Sequence, residues 1–474
     1  MVVHKSFYWG SVLLAATFGA ACSDDEGEKA GASMSPDAGE MDMDSEQDDE
    51  SMPAFNEGGT DPLERMPDDV ALPIVFVHGF AGSAQQFTSQ AMRYVANGYP
   101  PERLRAYEHD GAGFAIADYV SGLDAVVDEV RATFNADKVY LMGHSRGTAV
   151  SSSYLSEPSR ADKVAKYVSL DGAGCNNIPV PCRAPAQTTN TREGQTDHLP
   201  GQKHVEVATS KESFEIQFEF FFDKKPEVVD IVKQRDPVKI SGRAVNFPAN
   251  TGREDTTLEV WAIDADTGMR TKDEPMAKFD LQGEGEWGPV TVDPTKHYEL
   301  SLLSTDGSTD TVQHFYMQPF LRSSQFIRLL SGPPDSDSRV HTNTGDGHAG
   351  LIAMRMREWT PDDVLEVSDK SDSGDSEPKN VLENSTASDR IAIFLHDDAA
   401  SPGETTLDPL PWFTDQPFQT GVDIFLPAKD KPDGTITLKN LPRGDADKPQ
   451  ALHVPNWAST NHTISVMFND FPQD

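Results

Sequence analysis

Val139-Tyr140-Leu141-Met142-Gly143-His144-Ser145-Arg146-Gly147 is an apolar run that enters a Gly-x-Ser-x-Gly turn, and Gly147, Thr148 and Ala149 open a helical segment behind it. The two glycines let the backbone bend sharply enough to hold Ser145 up at the mouth of a sheet, with the first helical N–H beside it. That geometry needs a strand before the turn and a helix after it, and the flanking sequence supplies both. Pro73 to His78 reads as a continuous buried strand, Ala125 to Phe134 as helix, Val139 to Met142 as strand, and the stretch from Ser145 to Leu155 as helix. Val164 to Leu170 is a further strand, ending at Asp171. Such alternation predicts an α/β fold, a mostly parallel sheet covered by helices on both faces, over residues 70–236. Its last helix follows His204. There Thr209 and Glu212 form a T-x-x-E capping box, and Phe214, Phe218, Phe221 and Phe222 recur at helical spacing as a core stripe.

A serine hydroxyl holds its proton too tightly to be a good nucleophile at neutral pH. It needs a histidine to take that proton and an acid to fix the imidazole tautomer and steady the imidazolium. Behind an elbow of this kind the acid comes next in the chain and the histidine last. Asp171, in Ser169-Leu170-Asp171-Gly172, stands at the strand end from which a side chain reaches the nucleophile. Its other reading is a turn or capping acid, and Asp197 is the second candidate. His204, on the loop before the terminal helix, is the leading base; His198 on the same loop and His348 in Gly345-Asp346-Gly347-His348-Ala349-Gly350 compete with it. The oxyanion donors fall on the backbone N–H of Arg146 and of Phe80, the latter in the loop His78-Gly79-Phe80-Ala81-Gly82-Ser83. His78 shapes that loop. Only the backbone of Arg146 is needed, so its charge has no role in this scheme.

Beyond Asp236 the pattern changes to short alternating strands, among them Val238 to Val245, Thr257 to Ile263, Tyr298 to Leu303, Ile391 to Leu395 and Thr463 to Phe468, which predict an all-β sandwich region over 237–474. Spacing leaves one large sandwich and two small ones equally open. Asp369 to Asp389 is polar and acidic and reads as a long loop.

The first 22 residues have the form of an export signal: Lys5, an apolar middle from Val12 to Phe18, and the small residues Gly19-Ala20-Ala21 before Cys22. Cysteine at the cleavage point is similar to a bacterial lipoprotein box, which predicts acyl chains on Cys22, membrane association through them and a cell-envelope location; simple secretion is the alternative. Residues 23–69 contain almost no large apolar side chains and are expected to form a disordered acidic stalk. Of three cysteines, Cys175 and Cys182 remain as an expected disulfide in an oxidising compartment. Their spacing, without a nearby pair of histidines, argues against a metal site, and no cofactor is implied. With 77 acidic against 40 basic residues the net charge is -37, which excludes binding to nucleic acid.

H-G-F-A-G-S from His78, G-H-S-R-G from Gly143, S-L-D-G from Ser169 and H-V-E-V-A-T-S-K-E-S-F from His204 resemble two-domain lipases of the α/β-hydrolase superfamily, of the archaeal type with a C-terminal β-sandwich. The similarity runs on through Tyr316 to Arg322 and Val454 to Trp457. It implies Ser145 as nucleophile, Asp171 as acid, His204 as base, and Phe80 and Arg146 as backbone oxyanion donors. It further implies hydrolysis of carboxylic esters, acylglycerols included, with the sandwich assisting lipid contact. One departure stands out: Ala106 to Asp137 leaves little chain for a lid, so any cover would come from Cys175 to Lys203. Other readings are a polyester depolymerase or amide hydrolase on the same residues, or a non-catalytic surface adhesion or lipid-binding protein.

Overall fold

The computed structural model describes residues 63–471 except 236, 306, 308–310, 333–335, 372–373, 385–388 and 443–446. The expected export signal, Cys22 and most of the acidic stalk lie outside the described residues.

Five strands, β1 (Ile74–Val77), β2 (Leu104–Tyr107), β3 (Val139–His144), β4 (Val164–Leu170) and β5 (Cys182–Arg183), form one sheet in the order β2-β1-β3-β4-β5. All its pairings are parallel. Because successive side chains point to opposite faces, Phe76, Tyr140 and Met142 enter one core while Val75, Val77 and Leu141 enter another. Both faces being dry explains the apolar runs of β1 and of Val139 to Met142 in β3.

Six helices accompany the sheet: α1 (Thr88–Ala96), α2 (Ile116–Phe134), α3 (Arg146–Leu155), α4 (Pro158–Ala161), α5 (Glu206–Thr209) and α6 (Lys211–Phe222). Tyr94 of α1 and Phe214, Phe218 and Phe221 of α6 fill the first core. Leu123 and Val127 of α2 with Val150 and Tyr154 of α3 fill the second. The phenylalanine stripe is therefore core, as its spacing predicts. Its cap is not the predicted one. Thr209 is already helical, the last residue of α5, and the cap of α6 is the extended Ser210, whose hydroxyl accepts the Ser213 N–H.

Residues 63–69, expected as the end of a disordered stalk, are packed on the α/β domain. Met66 is buried in the first core, Arg65 pairs with Glu102, and Arg103 pairs with Asp68. One apolar anchor and two ion pairs, one with Arg103 and one with Glu102 of the neighbouring segment, fix residues that are acidic and polar on average.

The β-rich region consists of two sandwiches that share a sheet. Eight strands run in the order Ala277–Leu281, Thr256–Ile263, His297–Ser304, Val312–Met317, His462–Met467, Leu351–Trp359, Arg390–His396 and Gln419–Asp423. One end of this sheet packs on a four-stranded sheet built from Glu286–Val292, Val238–Asn246 and Ser324–Ser331 with the short Thr251–Gly252, around Leu258, Leu300, Ile240 and Leu329. The other end packs on a five-stranded sheet containing Val364–Ser371, Thr435–Leu441 and Gln450–Pro455, around Trp359, Ile393, Leu438 and Leu452. The parallel pairing of Val312–Met317 with His462–Met467 joins the halves. The polar run expected as a loop from Asp369 instead begins inside a strand, since residues 364–370 of Val364–Ser371 pair one for one with Thr435–Leu441. Its outer face is solvated, which is why charged residues alternate with Leu365 and Val367.

Phe218 is 1% exposed and touches the rings of Tyr94, Phe214 and Phe222. Phe218→Ala is expected to cost about 3–5 kcal/mol. Urea unfolding followed by tryptophan fluorescence measures this, and a loss under about 1 kcal/mol would contradict the assignment of this stripe to the core.

Candidate active site

Ser145 connects β3 to α3 with φ 53° and ψ −121°, a left-sided conformation that costs a non-glycine residue about 1–3 kcal/mol. The surroundings enforce it. Ser145 N–H donates to Leu170 O at 3.0 Å, tying the turn to the end of β4. A Cβ on Gly147 would lie 2.2 Å from Val77 O, so only glycine lets α3 start flush against β1. A Cβ on Gly79 would lie 2.8 Å from the Ser145 Cβ, so the loop after β1 can pass beside Ser145 only without one.

Ser145 Oγ is 2.8 Å from His204 Nε2, and His204 Nδ1 is 2.6 Å from Asp171 Oδ2. With Nδ1–H donating to the carboxylate, Nε2 is left as the acceptor for the serine proton. Asp171 sits at the end of β4 with φ 41°. Its carboxylate also accepts from Gln187 N–H at 3.1 Å, Gln187 Nε2 at 2.8 Å and Asn190 Nδ2 at 3.0 Å. Burial pushes this acid upward, but His204 and the amide donors outweigh it and hold it below the ordinary carboxylate range. It is anionic at neutral pH.

The segment from Cys175 to Lys203 thus has a different part from the expected cover. Its strand β6 (Pro185–Gln187) pairs in parallel with β7 (Asp197–Leu199) and presents Gln187 to Asp171. The Cys175–Cys182 disulfide closes the loop that precedes it. The competing residues lie elsewhere. Asp197 pairs with Arg183 at 2.6 Å, His198 is exposed on β7, and His348 is buried in the β-rich region with Nε2 at 3.2 Å from Asn343 O.

Two histidines of the motifs serve as fixed, neutral spacers. His144 Nε2 is 3.0 Å from His204 O, an acceptor, so this nitrogen carries the proton and Nδ1 accepts from Gln86 Nε2 at 2.6 Å. Burial first, then the neighbouring His204, pulls its pKa down to about 3. His78 bonds Gly79 O through Nδ1 at 2.9 Å and stacks on His109 with ring centres 3.9 Å apart. This is the loop-shaping role that the sequence suggests.

Arg146 is the first residue of α3, so its N–H has no partner within the helix. Its side chain, without a role in the sequence reading, donates to Asp110 O at 2.6 Å, to Gly113 O and to His109 Nδ1 at 3.2 Å. The guanidinium also lies over the Phe80 and Tyr119 rings. It fastens the 109–114 loop to the elbow and supports the ring of Phe80, which stacks on Phe114.

A cavity of about 550 Å³ opens on Ser145 and His204. The α/β domain contributes Phe80, Ala81, Gln86 and Val205 among others to its walls, and the β-rich region contributes Phe247, Pro248 and Leu330 from one sandwich and Met354, Ile391, Phe394, Trp412 and Phe418 from the other. No residue of the 175–203 segment lines it. Much of the site is therefore built by chain far from the α/β domain in sequence, and Gln187, Asn190 and the wall residues of the β-rich region carried no sequence signal of their own.

A model of the α/β hydrolase fold matches residues 73–228, one of the lipase C-terminal domain matches 236–334, and a further C-terminal-domain model matches 337–472. Fold and matches together define the class, an α/β-hydrolase with a β-rich C-terminal region. The first sandwich falls largely within the segment that the model of the lipase C-terminal domain matches. The structure is similar to a lipase-esterase related protein from Clostridium acetobutylicum, at 14% identity over 33% of this chain and 98% of that one with a TM-score of 0.26. It is likewise similar to a metagenome-derived lipolytic enzyme, at 13% identity over 35% of this chain and 99% of that one with a TM-score of 0.25. None of the curated proteins matches the chain.

The buried histidines give the fold a pH dependence of definite sign. His109 and His144 are pulled down to about 3 and His462 to about 4, burial being the first cause in each. Unfolded, they titrate near 6.5, so below that pH the unfolded chain binds protons that the folded chain refuses. Their contribution is complete above about pH 6.5 and is lost progressively as pH falls toward 3–4. Burial raises Glu358 and Asp470, which oppose the trend, while Asp171 and Glu108 are lowered and reinforce it. A melting temperature that declines steadily from about pH 6.5 to about pH 4 is expected; a constant value across that window would contradict burial of neutral imidazoles.

Proposed function

We propose that the protein is a serine carboxylic-ester hydrolase, a lipase or esterase that acts on acylglycerols or related esters through an acyl-Ser145 intermediate. The observation that carries this reading is the unbroken chain Asp171–His204–Ser145 facing an apolar cavity. In the proposed reaction Ser145 Oγ attacks the ester carbonyl while His204 Nε2 takes its proton. The charge that develops on the carbonyl oxygen meets the N–H groups of Phe80 and Arg146, preorganised donors worth about 3 kcal/mol each. Asp171 steadies the imidazolium, which then protonates the departing alcohol. Water deacylates the serine by the reverse sequence.

The cavity supports a preference for apolar acyl chains, since each buried methylene is worth about 0.8 kcal/mol. On the same reading the N-terminal segment directs export, and lipid on Cys22 tethers the enzyme at the cell envelope, near the esters it hydrolyses.

Ser145→Ala is expected to lower p-nitrophenyl ester hydrolysis by about 10⁴-fold or more with an unchanged circular dichroism spectrum. Activity retained in this variant would exclude the acyl-serine route. Across a series of esters of increasing chain length, kcat/KM is expected to rise about threefold to fourfold per methylene until the cavity is filled. A flat series, or faster hydrolysis of the matched amides, would exclude an apolar ester as the substrate.

A further inference from the structure

The peptide group that follows His204 is held at both ends, and by different parts of the molecule. Its carbonyl, His204 O, accepts the Nε2–H of His144, which comes from the elbow itself. Its N–H, that of Val205, donates to Glu358 Oε1, and the next N–H, that of Glu206, donates to Glu358 Oε2 at 3.0 Å. Glu358 belongs to the strand Leu351–Trp359 of the C-terminal sandwich and is 1% exposed.

The strand is shaped to deliver that carboxylate. Met354 pairs with Ala392 and Trp359 with Arg390, so four residues, Arg355 to Glu358, stand opposite Ile391 alone. A bulge of this kind redirects side chains out of the regular alternation. Arg355 turns inward to Asp363 at 2.6 Å and holds Glu358 O at 2.7 Å. Met356 lines the site cavity, and Arg357 reaches Glu206 at 2.8 Å. Glu358 is left pointing at the loop that carries His204.

We propose that Glu358 is a positioning residue for His204: its carboxylate clamps the 204–205 peptide against His144 and so sets the imidazole between Ser145 and Asp171. The inference rests on the serine-hydrolase reading and extends it. The C-terminal sandwich then completes the proton-transfer geometry for every substrate, short soluble esters included, in addition to lining the cavity.

An amide at this position tests the clamp. Glu358→Gln keeps size and shape, but its NH₂ group faces one of two N–H donors where a carboxylate oxygen accepted, so one bond is lost and a repulsive contact appears. Diethyl p-nitrophenyl phosphate, which releases one p-nitrophenol per reactive serine, counts functional sites in wild type and variant. Displacement of a catalytic group by an ångström can cost about 10²-fold. The expected result is a fall in kcat per titrated site of about 10- to 100-fold on p-nitrophenyl acetate, with KM within about twofold and a near-stoichiometric titre. A purely structural role would lower the titre and leave kcat per titrated site at the wild-type value, and that result overturns the proposal. Glu358→Asp, which keeps the charge but ends one methylene short, is the second variant should the amide not fold; the same loss per site is expected, and a wild-type value per site overturns it. Failure of the wild-type protein to titrate at all would instead defeat the serine-hydrolase reading, and the inference with it.

Discussion

The turn at Ser145 is a conformation that its own side chain disfavours, and the rest of the α/β domain is arranged so that no other is available. Gly147 lies against the backbone of β1, Gly79 lies against the Ser145 Cβ, and Leu170 O holds the serine N–H. Three segments distant in sequence meet there without intervening side chains. The strain of about 1–3 kcal/mol is local, and the two dry cores on either side of the sheet easily sustain it. What it secures is a hydroxyl at the sheet edge within 2.8 Å of His204 Nε2.

The partners of Ser145 are positioned by two independent supports. Asp171 is fixed from within the α/β domain, by Gln187 and Asn190 on a short segment braced by the Cys175–Cys182 disulfide. His204 is held between His144 and Glu358, hence between the elbow and the C-terminal sandwich. The cavity walls divide the same way. An architecture that looks like a hydrolase with an appendage is, at the site, a joint construction. The eight-stranded sheet gives the second sandwich a rigid connection to the first, and the first in turn packs Phe326 into the core of the α/β domain.

Much of this was legible in the sequence where local chemistry dictates structure. The elbow, β1, β4 and the phenylalanine stripe announce themselves because buried parallel strands need continuous apolar runs and a sharp turn needs glycine. The order of Ser145, Asp171 and His204 follows from the elbow, and the structure brings these three side chains together. Helix α1 was not legible, because it buries Gln90 and Arg93 to satisfy the carbonyls of Thr209, Ser210 and Val229, an inversion of the usual pattern. Strand β2 is four residues with an arginine in it. Glu358 was silent for a deeper reason: its meaning depends on a bulge and on a contact 153 residues away along the chain. The cover of the site was misplaced on the same ground. Residues 175–203 are near Ser145 in sequence, whereas Phe247, Met354 and Phe418 are near it in space.

The most direct measurement of the central claim is covalent. The intact protein would be treated with a fluorophosphonate, which reacts with a serine only where a base withdraws its proton and donors stabilise the resulting oxyanion. Peptide mapping by mass spectrometry would then locate the adduct. A single adduct on Ser145, formed rapidly at neutral pH and abolished by His204→Ala, is the predicted result. A folded protein that forms no adduct, or one that forms it on a different residue, would contradict the account.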